Sequence, residues 1–281
     1  MYSSSLRQIL LALALCTGSV LVHAALMRPT HTVKHFFDTR AEKLNPPTSH
    51  LNRVALADPV PMTNAKRLAR GLSPNRPRFH QHARRVVPSA VAAVSACTTQ
   101  TGKIAVAAAN IAAGAFVSRI PNQYGEYGIT PQASDALIVQ FTQCGADGPV
   151  TIETQNGAAD YLFLGAVEGF ESTSSDLALG SANYAYLSGT AQTDPGAVPQ
   201  AVGNTFTDAT ALTEGVESAI WYVDSTTGVI SVQWINEDGS SPATTILYSE
   251  GAGAFVLTGD PNEFVSVYGQ SPTVTLTFVS S

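Results

Sequence analysis

The chain has 281 residues and a formal net charge of −6 at pH 7, but this average hides two unlike parts. Residues 1–85 hold 13 of the 15 lysines and arginines and all six histidines, whereas residues 86–281 hold 18 of the 21 acidic residues. The formal charges of the two parts are therefore about +10 and −16. The acidic part has almost no cation with which to displace counterions from phosphate, so we exclude nucleic acid as a partner.

The chain begins with the features of a secretory signal peptide, residues 1–24. Arg7 precedes a short apolar run, and Val22 and Ala24 are small residues at the positions that precede a cleavage site. The run is interrupted by polar residues at 17–19 and is too short to span a bilayer comfortably. We therefore predict an extracellular protein with no membrane partner once the signal peptide is removed.

Residues 25–85 are rich in Pro, Arg, Asn and His and show no lasting hydrophobic period. Such a composition buries too little apolar surface to offset the entropy of ordering, so we predict a mostly disordered basic propeptide. Dibasic pairs that a processing protease would cut stand at Lys66-Arg67 and Arg84-Arg85, and the second pair marks the change in composition. We expect that protease as a partner and a mature domain of residues 86–281, although a charged linker is the alternative.

Two cysteines remain after the signal peptide, Cys97 and Cys144. An exported chain favours their pairing as a disulfide over two buried thiols. Closing a loop of about 48 residues would contribute roughly 4 kcal/mol in the chain-entropy treatment.

The acidic part shows the pattern of an all-β fold. Short apolar or alternating runs recur at a spacing of about 8–12 residues, which is typical of a sandwich or barrel. The clearest unit is ESAIWYVDSTTGVISVQWIN, where two apolar runs flank a turn that Gly228 can close, and Asn156-Gly157 is a hairpin-type pair. We extend the strand pattern to EFVSVYGQ and, against the helix propensity of alanine, to residues 103–120. The predicted fold is an antiparallel two-sheet sandwich, jelly-roll-like.

Four stretches resemble uncharacterised secreted proteins of basidiomycete fungi: NQYGEYGITPQASDALIVQF, LGSANYAYLSGT, ESAIWYVDSTTGVISVQWINEDGS and VLTGDPNEFVSVYGQ. The segment TNAKRLARGLSPNRPR is similar to a dibasic-processed prosegment common in exported proteins of those fungi. The resemblance covers most of residues 62–281. It implies a fungal extracellular protein and implies no activity, since no function is established for that set.

The residue types that are missing restrict the chemistry. Without histidine, residues 86–281 cannot form a Ser-His-Asp triad, a Cys-His pair or a histidine-containing metal site. The residue types present still allow a carboxylate-based hydrolase. Glu217, Glu237 and Asp260 are candidate catalytic carboxyls for a glycosidase, which needs two carboxyls across a cleft, often beside aromatic rings.

A glutamic peptidase is the other enzymatic alternative, because such enzymes are also secreted, acidic, sandwich-folded and made with a propeptide. Glu217 or Glu237 would then act with Gln233 or Gln140, although the sequence pattern of that family is not found around them. We predict no cofactor and no metal site; the loops NEDGS and GDPNE offer oxygen ligands for calcium, but polar turns explain them better.

The preferred interpretation is an extracellular binding or structural protein that associates with cell-wall polysaccharide. Aromatic strands and polar loops are a common framework for carbohydrate binding, and Tyr184, Tyr222 and Trp234 are the candidate binding residues. Because Ile220 and Tyr222 alternate with Trp221 and Val223, one set should face outward if the other faces the core. We expect the tryptophans to be mainly core residues and the tyrosines to be exposed.

Overall fold

The computed structural model describes residues 41–48, 51–52, 54–56, 97–145 and 148–281. All of them belong to one compact unit, residues 37–281. The predicted signal peptide, both dibasic pairs and Val86 lie outside the described residues, so their processing stays a prediction. In the described part of the chain no helix is long and apolar enough to cross a membrane.

The described residues form thirteen strands, two short α-helices and two 3₁₀ turns. The strands are β1 (Cys97–Ala107), β2 (Ala115–Val117), β3 (Ile129–Thr130), β4 (Ile138–Cys144), β5 (Glu153–Thr154), β6 (Phe163–Glu168), β7 (Tyr184–Thr190), β8 (Val216–Glu217), β9 (Trp221–Val223), β10 (Val229–Val232), β11 (Thr245–Ser249), β12 (Ala254–Thr258) and β13 (Thr275–Ser280). The helices are α1 (Thr205–Thr210) and α2 (Pro261–Tyr268), and the 3₁₀ turns are Ala41–Leu44 and Ala133–Asp135.

The strands pair antiparallel in the order β11-β12-β7-β6-β5-β4-β1-β13-β10-β9, with β2 and β3 attached to β1 and β8 attached to β6. The main core joins side chains from β9 and β10 with side chains from β6, β7 and β12, so the two ends of the sheet pack face to face. The prediction of an antiparallel all-β, sandwich-like fold is confirmed. The alanine-rich stretch, residues 103–120, also forms strands as predicted, in β1 and β2.

Strand β7 is buried on both faces, which positions the candidate site. Ala185 and Leu187 point into the main core, while Tyr184 and Tyr186 point into a second apolar cluster on the opposite face. This split follows from the two-residue period of a strand. The second cluster is covered by α1 and α2, which contribute Phe206, Phe264 and Tyr268.

The strand prediction for EFVSVYGQ is wrong, because these residues lie largely in α2. Asp260 caps this helix by accepting hydrogen bonds from the backbone N–H groups of Asn262 and Glu263, and Pro261 occupies the first turn. An aspartate cap followed by proline is a strong helix start, and it outweighs the strand propensity of Phe and Val in the run.

One of the two predicted turns is confirmed and the other is longer than expected. Gly228 has φ 73° and its N–H donates to Asp224 O at 2.8 Å, which closes the β9–β10 hairpin. In contrast, the connection of β5 to β6 runs from residue 155 to 162. There the Asn156 side chain is buried and bonds to Ala136 O and the Ile138 N–H, so it anchors β4 instead of forming a two-residue turn.

The predicted disulfide is confirmed. Cys97 and Cys144 stand directly opposite each other on β1 and β4, with their Cα atoms 4.1 Å apart. The crosslink therefore ties the first strand of the domain to the sheet.

Candidate functional site

A pocket on the second face of β7 is filled by a residue of the predicted propeptide, Leu44. Its side chain is 0 % exposed and packs in the second apolar cluster. We call this cavity the tyrosine pocket; its walls are Tyr184, Tyr186, Phe206, Phe264 and Tyr268. The rings contact one another edge-on or stacked, with centroids 4.9–5.5 Å apart, so the walls form one packed aromatic surface.

Described residues that follow Leu44 also contact the domain. Pro46 is buried, and Asn52 donates its backbone N–H to Ala209 O at 2.8 Å. Further on, Ala55 O accepts the N–H of Ala159, and Leu56 forms an antiparallel bridge with Ala158. Leu44, at the end of a 3₁₀ turn, is therefore a buried apolar anchor, and Asn52, Ala55 and Leu56 add backbone pairing at a strand-like edge, a combination that peptide ligands use.

Two tyrosine hydroxyls donate to the same carbonyl oxygen, that of Leu44. The Tyr184 hydroxyl lies 2.7 Å from it, and the Tyr186 hydroxyl contacts it as well. Each hydroxyl also accepts a backbone N–H, from Glu171 and Phe170 respectively. Since those N–H groups occupy acceptor positions of the hydroxyls, the hydroxyl protons are directed towards the carbonyl.

A buried carboxyl, Glu126, stands beside the next residue of the segment. Its Oε2 accepts hydrogen bonds from Asn122 Nδ2 at 2.7 Å and from Asn45 Nδ2 at 3.3 Å. The turn of residues 122–126 positions it, because Asn122 Oδ1 accepts the N–H of Glu126. Gly125 has φ 81°, and a Cβ there would meet Thr205 O at 2.3 Å, so this turn requires glycine.

Burial raises the pKa of Glu126 to about 8, against the lowering effect of its two amide donors. The side chain is 0 % exposed, and the carboxyl is therefore neutral at pH 7 in this arrangement. A neutral carboxyl fits the contact with an uncharged asparagine amide. The pKa values of Tyr184 and Tyr186 are also raised by burial, so both hydroxyls remain donors.

Buried polar atoms without a hydrogen-bond partner lie at and around Glu126. Among the described residues, the buried side-chain atoms without a hydrogen-bond partner are Glu126 Oε1, Asn45 Oδ1 and Ser188 Oγ. Glu126 and Ser188 are bridge partners, and directly opposed residues of an antiparallel pair project to the same face. Buried polar atoms are normally paired, and unpaired ones are a frequent mark of a site with another task.

The predicted carboxyl Glu217 lies elsewhere, on β8, and is buried with 1 % exposure. Both of its carboxyl oxygens accept the backbone N–H of Ile235 at 3.1 Å, and burial raises its pKa to about 8. Its contacts tie β8 to the chain after β10. The structure gives it no contact with the tyrosine pocket, and its proposed catalytic role stays a prediction.

The other two predicted carboxyls have ordinary structural partners. Asp260 is the cap of α2 and also accepts the N–H of Gly180, which lowers its pKa. Glu237 is exposed, and its Oε1 accepts the Ser175 hydroxyl at 2.8 Å. The three predicted carboxyls are therefore not assembled into one described site.

A loose group of carboxyls surrounds Glu237. The pKa of Glu168 is raised by burial and by the nearby charges of Glu237 and Asp176, and burial with Glu168 raises the pKa of Glu214 to about 7. In the part of the chain that the structure describes, no three His, Cys, Asp or Glu side chains converge as a metal site. This group of carboxyls therefore supplies no ligand set for the calcium site considered at the loops NEDGS and GDPNE.

The three predicted binding aromatics occupy different environments. Tyr184 was expected to be exposed, but it is 1 % exposed beneath Leu44, so that expectation is wrong for the chain with its propeptide. Trp234 is fully buried and donates its indole N–H to Ser175 O at 2.8 Å. Tyr222 is half-buried between two shallow clefts and donates to Gln233 Oε1. Trp221 is in the core as expected, but the predicted alternation holds only for Tyr222, because Ile220 is buried in the main core as well.

The glutamine partners proposed for a glutamic peptidase are placed apart. Gln233 is held by Tyr222, and Gln140 donates to Thr101 Oγ1 at 3.2 Å on β4. Among the described residues, neither glutamine is hydrogen-bonded to Glu217 or Glu237, whose oxygens bond to Ile235 and Ser175. Their catalytic pairing receives no support from these contacts.

Sequence reasoning missed Glu126, Tyr186, Ser188 and the docking of Leu44. A local signal exists for Glu126: NQYGEYGI places a carboxylate directly after an Asn-x-x-Gly turn and inside an apolar stretch. No comparable signal marks Leu44, which is one leucine in a polar, proline-containing segment. Its contact partners lie 140 and 142 residues away in the chain.

No family model matches this chain, and no curated protein or solved structure is significantly similar to it. The tyrosine pocket is therefore the feature from which a function can be inferred.

Proposed function

We propose that this protein is a secreted binding protein made as a latent proprotein, and that its ligand is a peptide whose apolar anchor is held in the tyrosine pocket. The observation that carries the proposal is the burial of Leu44, with its carbonyl bound by two tyrosine hydroxyls. Leu44 precedes both dibasic pairs, so a cut after Arg85 would make its segment a separable ligand.

The chemistry of the pocket favours a peptide over a polysaccharide. The pocket offers an aromatic socket for an aliphatic side chain, two donors for a backbone carbonyl and a carboxyl for a side-chain amide. Sugar binding would use an exposed aromatic face, whereas Trp234 and Tyr184 are buried and Tyr222 is half-buried. Association with cell-wall polysaccharide therefore remains the second candidate.

The test uses the full chain, folded and then cut at the dibasic pairs by a dibasic-specific protease. High salt and ion exchange would separate the basic segment from the acidic domain. A synthetic peptide of residues 40–56 should bind the separated domain and should fail to bind the uncut chain, whose pocket is occupied. Titration calorimetry measures both.

Matched peptides identify the anchor. Leu44→Ala in the peptide should weaken binding about 10- to 100-fold, since burying a leucine side chain contributes roughly 1.5–3 kcal/mol. Lys43→Ala should change affinity little, because Lys43 is exposed. Equal affinity of the two variants, or no binding of the parent peptide, would contradict the proposal.

The same cut and uncut proteins should be mixed with insoluble β-glucan and with chitin. Retention that the peptide of residues 40–56 does not displace would favour the polysaccharide function. Release of retained protein by the peptide would place both ligands in the tyrosine pocket.

A further inference from the structure

The peptide unit between Leu44 and Asn45 is held by the groups that amide hydrolysis requires. Its carbonyl oxygen accepts two tyrosine hydroxyls, and the hydroxyls are themselves fixed by the backbone N–H groups of Glu171 and Phe170. Fixed donors around one carbonyl oxygen resemble an oxyanion hole, which stabilises the charge that develops when a carbonyl is attacked.

A carboxyl contacts the side chain of the residue that follows this carbonyl. Glu126 Oε2 is 3.3 Å from the side-chain nitrogen of Asn45, the residue after the carbonyl. Glu126 Oε1 and the neighbouring Ser188 Oγ have no partner among the described residues, although both are fully buried. The carboxyl therefore has an oxygen that is not used for holding the fold.

We propose that the tyrosine pocket hydrolyses peptide bonds and that Glu126 is its catalytic residue. This inference rests on the proposed function, because the substrate enters as the bound peptide. The substrate class is an unfolded peptide with a leucine-like side chain before the cleaved bond. Leu44–Asn45 marks the position of that bond in the pocket.

The step needs only water as a co-reactant. The Glu126 carboxylate takes one proton from water, and the water oxygen bonds to the carbonyl carbon. Tyr184 and Tyr186 stabilise the resulting oxyanion by hydrogen bonds. The carbon–nitrogen bond then breaks as Glu126 gives the proton to the nitrogen, which leaves a carboxylic acid, an amine and the original carboxylate.

The enclosure of Glu126 sets the pH at which a peptide bound in the pocket can be cleaved. Burial raises the pKa of Glu126 to about 8, so the carboxyl is protonated at pH 7 and cannot accept a proton from water. The titratable groups facing it are the hydroxyls of Tyr124, Tyr184 and Tyr186, and these are neutral as well. A bound peptide substrate encloses Glu126 in the same way, so we expect cleavage to rise as the pH approaches 8 and the carboxylate forms.

The experiment uses the cut and separated domain with unfolded casein as the substrate, from pH 3 to pH 9. Mass spectrometry should find new ends after leucine or a similar apolar residue, and the peptide of residues 40–56 should inhibit the cleavage. Glu126→Gln should lower the rate at least 100-fold while still binding the peptide, because glutamine keeps the shape but cannot transfer the proton. Tyr186→Phe should lower the rate about 10- to 100-fold by removing one donor.

Glu214→Gln is the matched control, because Glu214 is also a partly buried carboxyl, and burial raises its pKa to about 7. Its cleavage rate should be unchanged once a thermal melt shows that the variant is folded. Casein that stays intact over the whole pH range while the peptide still binds would overturn the hydrolysis and leave the binding function standing. Cleavage that survives in Glu126→Gln would overturn the role of Glu126, and absence of peptide binding would overturn both proposals.

Discussion

At the residue scale, Glu126 and Glu217 are two buried carboxyls with different surroundings. Glu217 is held by the backbone of Ile235, whereas Glu126 is held by two asparagine amides, one of them from the predicted propeptide. Burial raises the pKa of each to about 8. In the folded state both carboxyls therefore keep a proton up to about pH 8. In the unfolded chain the same carboxyls lose it near their ordinary pKa of 4.5.

The difference between the folded and unfolded pKa values predicts that the full chain loses stability as the pH rises. Between pH 4.5 and about 8 the folded state binds protons that the unfolded state has lost, so the free energy of unfolding falls over that window and levels off above it. At about 1.36 kcal/mol per pKa unit, the loss should be on the order of 5 kcal/mol for each group. Melting temperatures from pH 5 to pH 8.5 measure it.

The double variant Glu126→Gln with Glu217→Gln is neutral at both positions at every pH. Its melting temperature should fall clearly less than that of the parent chain over the same window. If both proteins show the same pH dependence, the two carboxyls do not titrate as the structure implies, and general repulsion among acidic residues would explain the slope.

At the element scale, α2 depends on its first residues more than on its apolar pattern. Asp260 satisfies two N–H groups at the helix start and also accepts the N–H of Gly180. The helix carries Phe264 and Tyr268 into the wall of the tyrosine pocket. A local cap therefore determines whether the pocket has its outer wall.

Asp260→Ala should destabilise the protein by roughly 1 kcal/mol, the usual cost of losing an aspartate cap. Urea unfolding followed by tryptophan fluorescence measures the change, since Trp221 and Trp234 are both buried in the core. Asn262→Ala, exposed in the same turn, should change stability by less than about 0.5 kcal/mol. Similar losses in the two variants would argue against capping as the cause.

At the scale of the whole molecule, a basic segment precedes an acidic domain. The formal charges of about +10 and −16 predict attraction, but the described contact is apolar and hydrogen-bonded, through Leu44 and the tyrosine hydroxyls. Of the two cations in the domain, Lys103 bonds to Ala133 O and Arg119 pairs with Asp135. Charge attraction and pocket binding therefore act through different residues of the segment.

The change of composition at Arg85 predicts where the mature chain begins. Protein recovered from the medium of a secreting host should start at or near Val86, since dibasic pairs are cut in the secretory pathway. N-terminal sequencing measures this directly. A start at Ala25 would show that the basic segment, including Leu44, is retained.

The sequence by itself determined the strand-rich fold, the β9–β10 turn and the Cys97–Cys144 disulfide. These features depend on local periodicity, on a glycine at a turn and on the number of cysteines, all of which can be read along the chain. The sequence also excluded histidine chemistry from the acidic domain, because the residue type is absent there. Helix α2 was missed, since its alternating run fitted a strand until the cap was considered.

Only the tertiary structure decided which residues form the candidate site. Glu126, Ser188 and Tyr186 come together because the turn of residues 122–126 lies against β7, and Leu44 reaches them from far along the chain. Sequence periodicity gives the face of a strand, but it cannot say what covers that face. Both faces of β7 are buried, one by the core and the other by helices and the propeptide, and that arrangement makes Tyr184 part of a pocket instead of an exposed surface.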